Sequence, residues 1–285
     1  MDKNLIELIN KIRNSDDTLI YSSLRNLFTY LNAPFCKFDI IAGHPPLFRV
    51  RTHTEDENSI FFHNEYELSF RRDIPNINSY GRCNEPLQSL FYASDSDLIS
   101  FAEVIGKNKI ETLKDVTYLT TGVWNFTQNI MVSPIFEPDN VNIANPSLLD
   151  VTKKCNDFID SYDTIPQKDD LKNLLKGLAT EFIKPFSLDK KSYLFSAAYS
   201  NYMFDSIGID SKQIEGIVYP TCITIENIRH LGLNYVFKNS IIGFDKKLKL
   251  VDAFRTKLAK GTKDIIETER IYCKKIDKST GEILW

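Results

Sequence analysis

The sequence has few of the residues that staple or metallate a fold. Its five cysteines, Cys36, Cys83, Cys155, Cys222 and Cys273, are odd in number, scattered and free of any C-x-x-C pair. That pattern argues against a disulfide framework and fits reduced thiols. The four histidines, His44, His53, His63 and His230, show no H-x-x-x-H spacing, so no metal site is predicted. Neither G-x-G-x-x-G nor a P-loop occurs, which argues against a doubly wound dinucleotide fold and a phosphate cradle of the NTPase type. There is no internal repeat. No stretch approaches the roughly 18 apolar residues needed to span a bilayer. The opening Met1-Asp-Lys-Asn-Leu-Ile-Glu has acids inside its first apolar stretch, unlike a signal peptide. The expectation is a cytoplasmic chain without a membrane partner. Charge is also scarce in net terms: −3 overall, with a pI near 5.9, gives no global drive toward nucleic acid. A phosphate-bearing ligand must therefore be held by a local basic site.

What is present is an ordinary globular composition, 42% apolar and 26% charged over 285 residues, enough to bury a large core without staples. Residues 1–44 read as a helical N-terminal extension. Within it Leu5, Ile6, Leu8, Ile9 and Ile12 form one apolar stripe, and Leu19, Ile20, Leu24, Leu27 and Phe28 a second. The two helices are expected to pack as a hairpin, with cap chemistry at Ser15-Asp16-Asp17 between them and a stop at Ala33-Pro34. Residues 45–285 read as one domain with a helical insertion over about 147–206. Strands are predicted at 47–51, 89–93, 116–121, 130–136, 214–219, 233–237, 248–254 and 270–276. Helices are predicted after Ser94-Asp95-Ser96-Asp97, where the apolar run 98–104 begins, and near 147–162, 168–184 and 190–205. Tyr199, Tyr202, Met203 and Phe204 mark the last of these as a core helix. The order helices, strands, helices, strands suits an α+β fold with a mixed or antiparallel sheet.

One constellation carries chemistry. Tyr80-Gly81-Arg82-Cys83-Asn84-Glu85-Pro86 is followed by Tyr92, ten positions after Arg82 (92 − 82), and by Glu103, eleven after Tyr92 (103 − 92). Phe48-Arg49-Val50-Arg51 places arginine on an early strand, and Tyr219-Pro220-Thr221 lies downstream. This set resembles the RES-domain family, named for its arginine, glutamate and serine. The family pattern has tryptophan where Cys83 stands and serine where Thr221 stands, so an aromatic plate is lost and a hydroxyl kept. The likeness spans roughly residues 45–255, with its sharpest part in Arg82–Glu103.

The resemblance implies an ADP-ribosyltransferase-like fold and an enzyme that breaks down NAD as substrate, by hydrolysis or phosphorolysis, with no resident cofactor. Some family members are proposed to ADP-ribosylate proteins. It also implies a toxin paired with a helix-turn-helix antitoxin protein. Cleaving the nicotinamide–ribose bond develops positive charge on the sugar, for which a fixed carboxylate, Glu103, is the natural partner. Arginine offers a planar fork to the pyrophosphate, first Arg82, then Arg49 or Arg51. Tyr92 supplies a face for the cationic nicotinamide ring. Asn84 and Thr221 complete the expected substrate contacts. Three reaction classes stay open at this point: cleavage, transfer of ADP-ribose to a protein, and nucleotide binding without catalysis.

Taken singly, each residue also has an ordinary role. Tyr92 fits core packing, Glu103 a solvated helix position, Arg82 a turn with a surface ion pair, and Thr221 a β-former beside proline. Arg49 and Arg51 fit equally an exposed edge strand that deters aggregation.

Overall fold

In the computed structural model, the described residues are 17–30, 33–53, 61–107, 115–137, 146–184, 190–206, 213–222, 232–261 and 265–285. The expected first helix, over Leu5–Ile12, lies outside them. The chain is mixed α+β, and its sheet strands pair both parallel and antiparallel. No helix among the described residues is long and apolar enough to cross a membrane. Two compact units are each assembled from three chain segments. One takes residues 1–39, 72–90 and 131–236, the other 40–71, 91–130 and 237–285.

The first unit holds α1 (Asp17–Tyr30), α4 (Pro146–Asp160), α5 (Ile165–Phe182) and α6 (Leu194–Asp205). Its strands run in the order β1 (Phe38–Ile40), β5 (Ile130–Pro134), β6 (Gly216–Pro220), β7 (Leu233–Phe237), with β5 and β6 parallel. The helix α6 is apolar all round because it is buried all round, from Ser196 through Phe204 without interruption. The phenols of Tyr199 and Tyr202 escape the cost of burial by donating to Pro34 O at 3.0 Å and Ala33 O at 2.9 Å. Against α6 lies α1, whose inward stripe is Ile20, Leu24 and Phe28, one per turn. Leu19, expected in that stripe, is 65% exposed, because it precedes Ile20 by one residue and turns about 100° off it.

The second unit holds five strands in the order β3 (Phe91–Ser94), β2 (Leu47–Thr52), β4 (Val116–Phe126), β8 (Leu248–Lys260), β9 (Ile265–Tyr272). Here β2 runs antiparallel to both its neighbours, and β4–β8 and β8–β9 are antiparallel too. β2 is thus interior, so its alternating arginines are not the aggregation guard of an edge strand. One face of this sheet takes α3 (Asp97–Lys107). Val50, Leu119 and Leu258 meet Ile105 there, with Phe101 and Val104 alongside. Each buried Val, Leu or Ile is worth ~1.5–3 kcal/mol, enough to fix the helix on the sheet. Ser100 Oγ adds a 2.5 Å hydrogen bond to Phe48 O.

The opposite face takes the short α2 (Glu65–Leu68), started by a capping box between Asn64 and Glu67, and the C-terminal hairpin β10 (Lys275–Ile276) and β11 (Ile283–Leu284). Glu65 is buried against Gly281, whose φ of +73° and lack of Cβ admit the Glu65 side chain: a Cβ there would stand 2.6 Å from Glu65 Cγ. The Glu65 carboxylate accepts from Phe244 N. Burial pushes its pKa up.

Candidate functional site

Arg82 sits in a turn whose Gly-Arg-x-Asn pattern has a local physical cause. Gly81 N donates to Asn84 O at 2.9 Å, and the Asn84 amide folds back onto Gly81 so closely that a Cβ there would stand 2.2 Å from Asn84 Oδ1. Asn84 Nδ2 also donates to Glu85 O at 3.1 Å. The loop is pinned from α6, where Asn201 and Gln88 exchange amide hydrogen bonds at 2.6 and 3.1 Å. Asn84 thus shapes the turn that carries Arg82.

The Arg82 guanidinium is spent largely within its own unit. It donates to Phe182 O, at the last residue of α5, and to Lys184 O at 2.8 Å. The first of these satisfies a carbonyl that the helix end leaves without an intrahelical partner. Its Nη2 lies 3.9 Å from Cys222 Sγ, and its carbon stands 5.2 Å from the Tyr193 ring centroid and 5.7 Å from that of Tyr219. Arg82 and the Tyr219-Pro220-Thr221 segment, far apart in sequence, are therefore adjacent. Thr221 is fully buried, and its backbone N donates to Gly232 O at 3.0 Å.

In the second unit Arg49 and Tyr92 come together. Arg49 Nη1 donates to Tyr92 O at 2.7 Å. Ser94 stands opposite Phe48, so by the period of two along a strand Tyr92 shares the face of Phe48 and Val50, the face covered by α3. Glu103 is half-buried on α3, on the flank turned away from the stripe Phe101, Val104 and Ile105 that meets the sheet. Arg49 and Arg51 alternate with Val50 and so occupy the opposite face. Of the expected set, this unit groups Tyr92 with the helix of Glu103 on one face, and Arg49 with Arg51 on the other.

The two strand arginines have different surroundings. Arg51 donates to Glu67 O at 2.7 Å and lies 4.3 Å over the Phe62 ring. Arg49 lies 5.4 Å over Phe91, its Nε is buried without a hydrogen-bond partner, and among the described residues no carboxylate pairs with it. Burial, followed by repulsion from Arg51, pulls its pKa down to about 10. Arg49 stands directly across from Gly122 on β4. Beside that glycine, Trp124 is fully buried with an indole N–H that also lacks an acceptor. Sequence reasoning missed Trp124; the available signal was Gly122 inside an otherwise β-forming run, a mark of close approach.

Among the described residues no group of three or more His, Cys, Asp or Glu is arranged to hold a metal. Compared with protein-family models and with curated proteins, the sequence matches none.

Proposed function

We propose that the protein cleaves NAD at the nicotinamide–ribose bond, with an ADP-ribosyltransferase-like fold and a toxin's role, held in check by a helix-turn-helix antitoxin. The observation that carries this reading is that Tyr92 and the helix of Glu103 share one face of the second unit's sheet; on the other face Arg49, part-buried with its Nε buried and with no carboxylate pairing with it among the described residues, is tied to the backbone of Tyr92. A desolvated cation without a counter-charge costs several kcal/mol, and a phosphate-bearing ligand supplies the missing charge. Spacing supports the rest: Arg82, Tyr92 and Glu103 at intervals of ten and eleven, with Tyr219-Pro220-Thr221 against Arg82.

In this reading Tyr92 and Glu103 act from the α3 face, Arg49 offers a separate phosphate contact on the opposite face, and Arg82 anchors its own turn on α5. Tyr92 offers its ring to the nicotinamide, and Glu103 steadies the sugar as its C1′–N bond breaks and neutral nicotinamide leaves. Water, phosphate or a protein side chain then takes the ribosyl cation. At about 4 Å and an effective dielectric near 20, one carboxylate–cation pair is worth roughly 4 kcal/mol, or about three powers of ten in rate. Incubating purified protein with NAD and measuring released nicotinamide tests the reading, and labelled-NAD transfer to lysate proteins separates transfer from hydrolysis.

A second reading, nucleotide binding without cleavage, is favoured by one observation: Arg49 and the helix that carries Glu103 lie on opposite faces of the same sheet. NAD would then raise the melting temperature with no product formed.

A further inference from the structure

Among the described residues three buried N–H groups of the second unit lack a hydrogen-bond partner, Arg49 Nε, Trp124 Nε1 and Arg255 Nε, and the first two are close to Gly122. Arg49 is the cross-strand neighbour of Gly122. The Trp124 indole nitrogen lies 2.8 Å from where a Gly122 Cβ would stand, so only glycine leaves room for the indole there. Phe91 forms a wall common to both: its ring centroid is 5.4 Å from the Arg49 guanidinium carbon and 4.9 Å from the Trp124 ring centroid, edge to face. Among the described residues neither Arg49 Nε nor Trp124 Nε1 has a hydrogen-bond partner, although both atoms are buried.

Buried N–H groups are rarely left unsatisfied, because each costs ~1–3 kcal/mol. A water molecule would satisfy two donors but leave the guanidinium charge uncompensated in an apolar setting of Phe91, Leu250 and Leu68. An oxyanion satisfies both demands at once, accepting from the neutral indole and pairing with the cation.

We propose that Arg49 and Trp124 form a buried two-donor subsite for one oxygen of a phosphoryl group. The shared chemistry is a phosphate oxyanion, whether inorganic phosphate or the pyrophosphate of a nucleotide. Trp124 thereby becomes a ligand-binding residue outside the spaced motif, and Gly122 the residue that makes its placement possible. The subsite refines the use of Arg49 above but does not depend on NAD being cleaved.

The chain has two tryptophans, Trp124 and Trp285. Trp285 already donates to Phe62 O at 2.7 Å and serves as an internal reference. The experiment follows both indole N–H resonances of ¹⁵N-labelled full-length protein during titration with inorganic phosphate, pyrophosphate and NAD. The Trp124 resonance is expected to shift and saturate while that of Trp285 stays in place. Trp124→Phe, which keeps the packing and deletes the donor, should weaken the favoured anion by about tenfold. Arg49→Met should abolish the Trp124 shift. Saturation by inorganic phosphate identifies a free-anion site; saturation by pyrophosphate and NAD alone identifies a nucleotide site. A Trp124 resonance unmoved by all three probes, as a water-filled site would give, overturns the inference. So does equal affinity in wild type and Trp124→Phe. Oxyanion binding without nicotinamide release would leave this subsite standing and end the cleavage reading.

Discussion

Arg49 donates to the backbone oxygen of Tyr92 at 2.7 Å, yet the two side chains leave the sheet in opposite directions, Arg49 away from α3 and Tyr92 toward it. The bond therefore joins a cation on one face to the strand that presents the tyrosine on the other. Substituting either residue perturbs a different surface of the same unit.

Arg49→Met is expected to separate stability from binding. Removing a part-buried charge that no carboxylate among the described residues offsets, while keeping the volume, should leave the melting temperature unchanged or raise it by about 2–4 °C. The same change should eliminate stabilisation by pyrophosphate or NAD. Thermal melts with and without ligand check both halves, and a large loss of intrinsic stability would argue that the charge is satisfied in the fold itself.

Arg82→Ala is expected to behave as a structural lesion. Hydrogen bonds from a charged donor to Phe182 O and Lys184 O are lost, each of a kind worth ~1.5–3 kcal/mol, and the end of α5 loosens. Amide hydrogen exchange should rise at the C-terminus of α5 before it rises in β4. Unchanged exchange there would show that the guanidinium does not hold the helix end.

Gly81→Ala should destabilise the turn, because the new methyl meets Asn84 Oδ1. The double variant Gly81→Ala with Asn84→Gly should recover much of the loss, a coupling of the 0.5–3 kcal/mol size seen between touching residues. Denaturant titrations of the four proteins measure it; purely additive costs would contradict the contact.

The raised pKa of Glu65 has a definite sign. A carboxyl whose folded value exceeds its unfolded one contributes stability that is complete below the ordinary glutamate value near ~4.3 and is lost as pH rises through the folded value. Glu65→Gln stays neutral and keeps the acceptor for Phe244 N. Relative to that variant, the wild type should lose stability as pH rises out of the acid range. Parallel stability profiles across pH would rule the assignment out.

Much of the fold was legible because local patterns and burial agree. The strand expected at 47–51, the helix expected from the apolar run 98–104 and the core helix expected near 190–205 each fall on an observed element. Short pieces such as β1, α2 and β11 escaped, being too brief to show a period. So did the full length of β8, whose 13 residues include Arg255 buried between the Phe61 and Tyr118 rings, a cation stabilised by aromatic faces in a run that reads as polar. The site was legible as a list of residue types and spacings. What the spacing did not convey was allegiance: Arg82 serves carbonyls at and just past the end of α5, Asn84 serves its own turn, and Arg49 and Trp124 are among the donors left over.

The central claim, that the carboxylate of Glu103 supports breakage of the nicotinamide–ribose bond, is tested most directly by nicotinamide release from NAD by purified wild type and Glu103→Gln. The account predicts release by the wild type and a loss of roughly a hundredfold or more in the variant, with unchanged melting temperature. Equal turnover in the two proteins, or none in either, contradicts it.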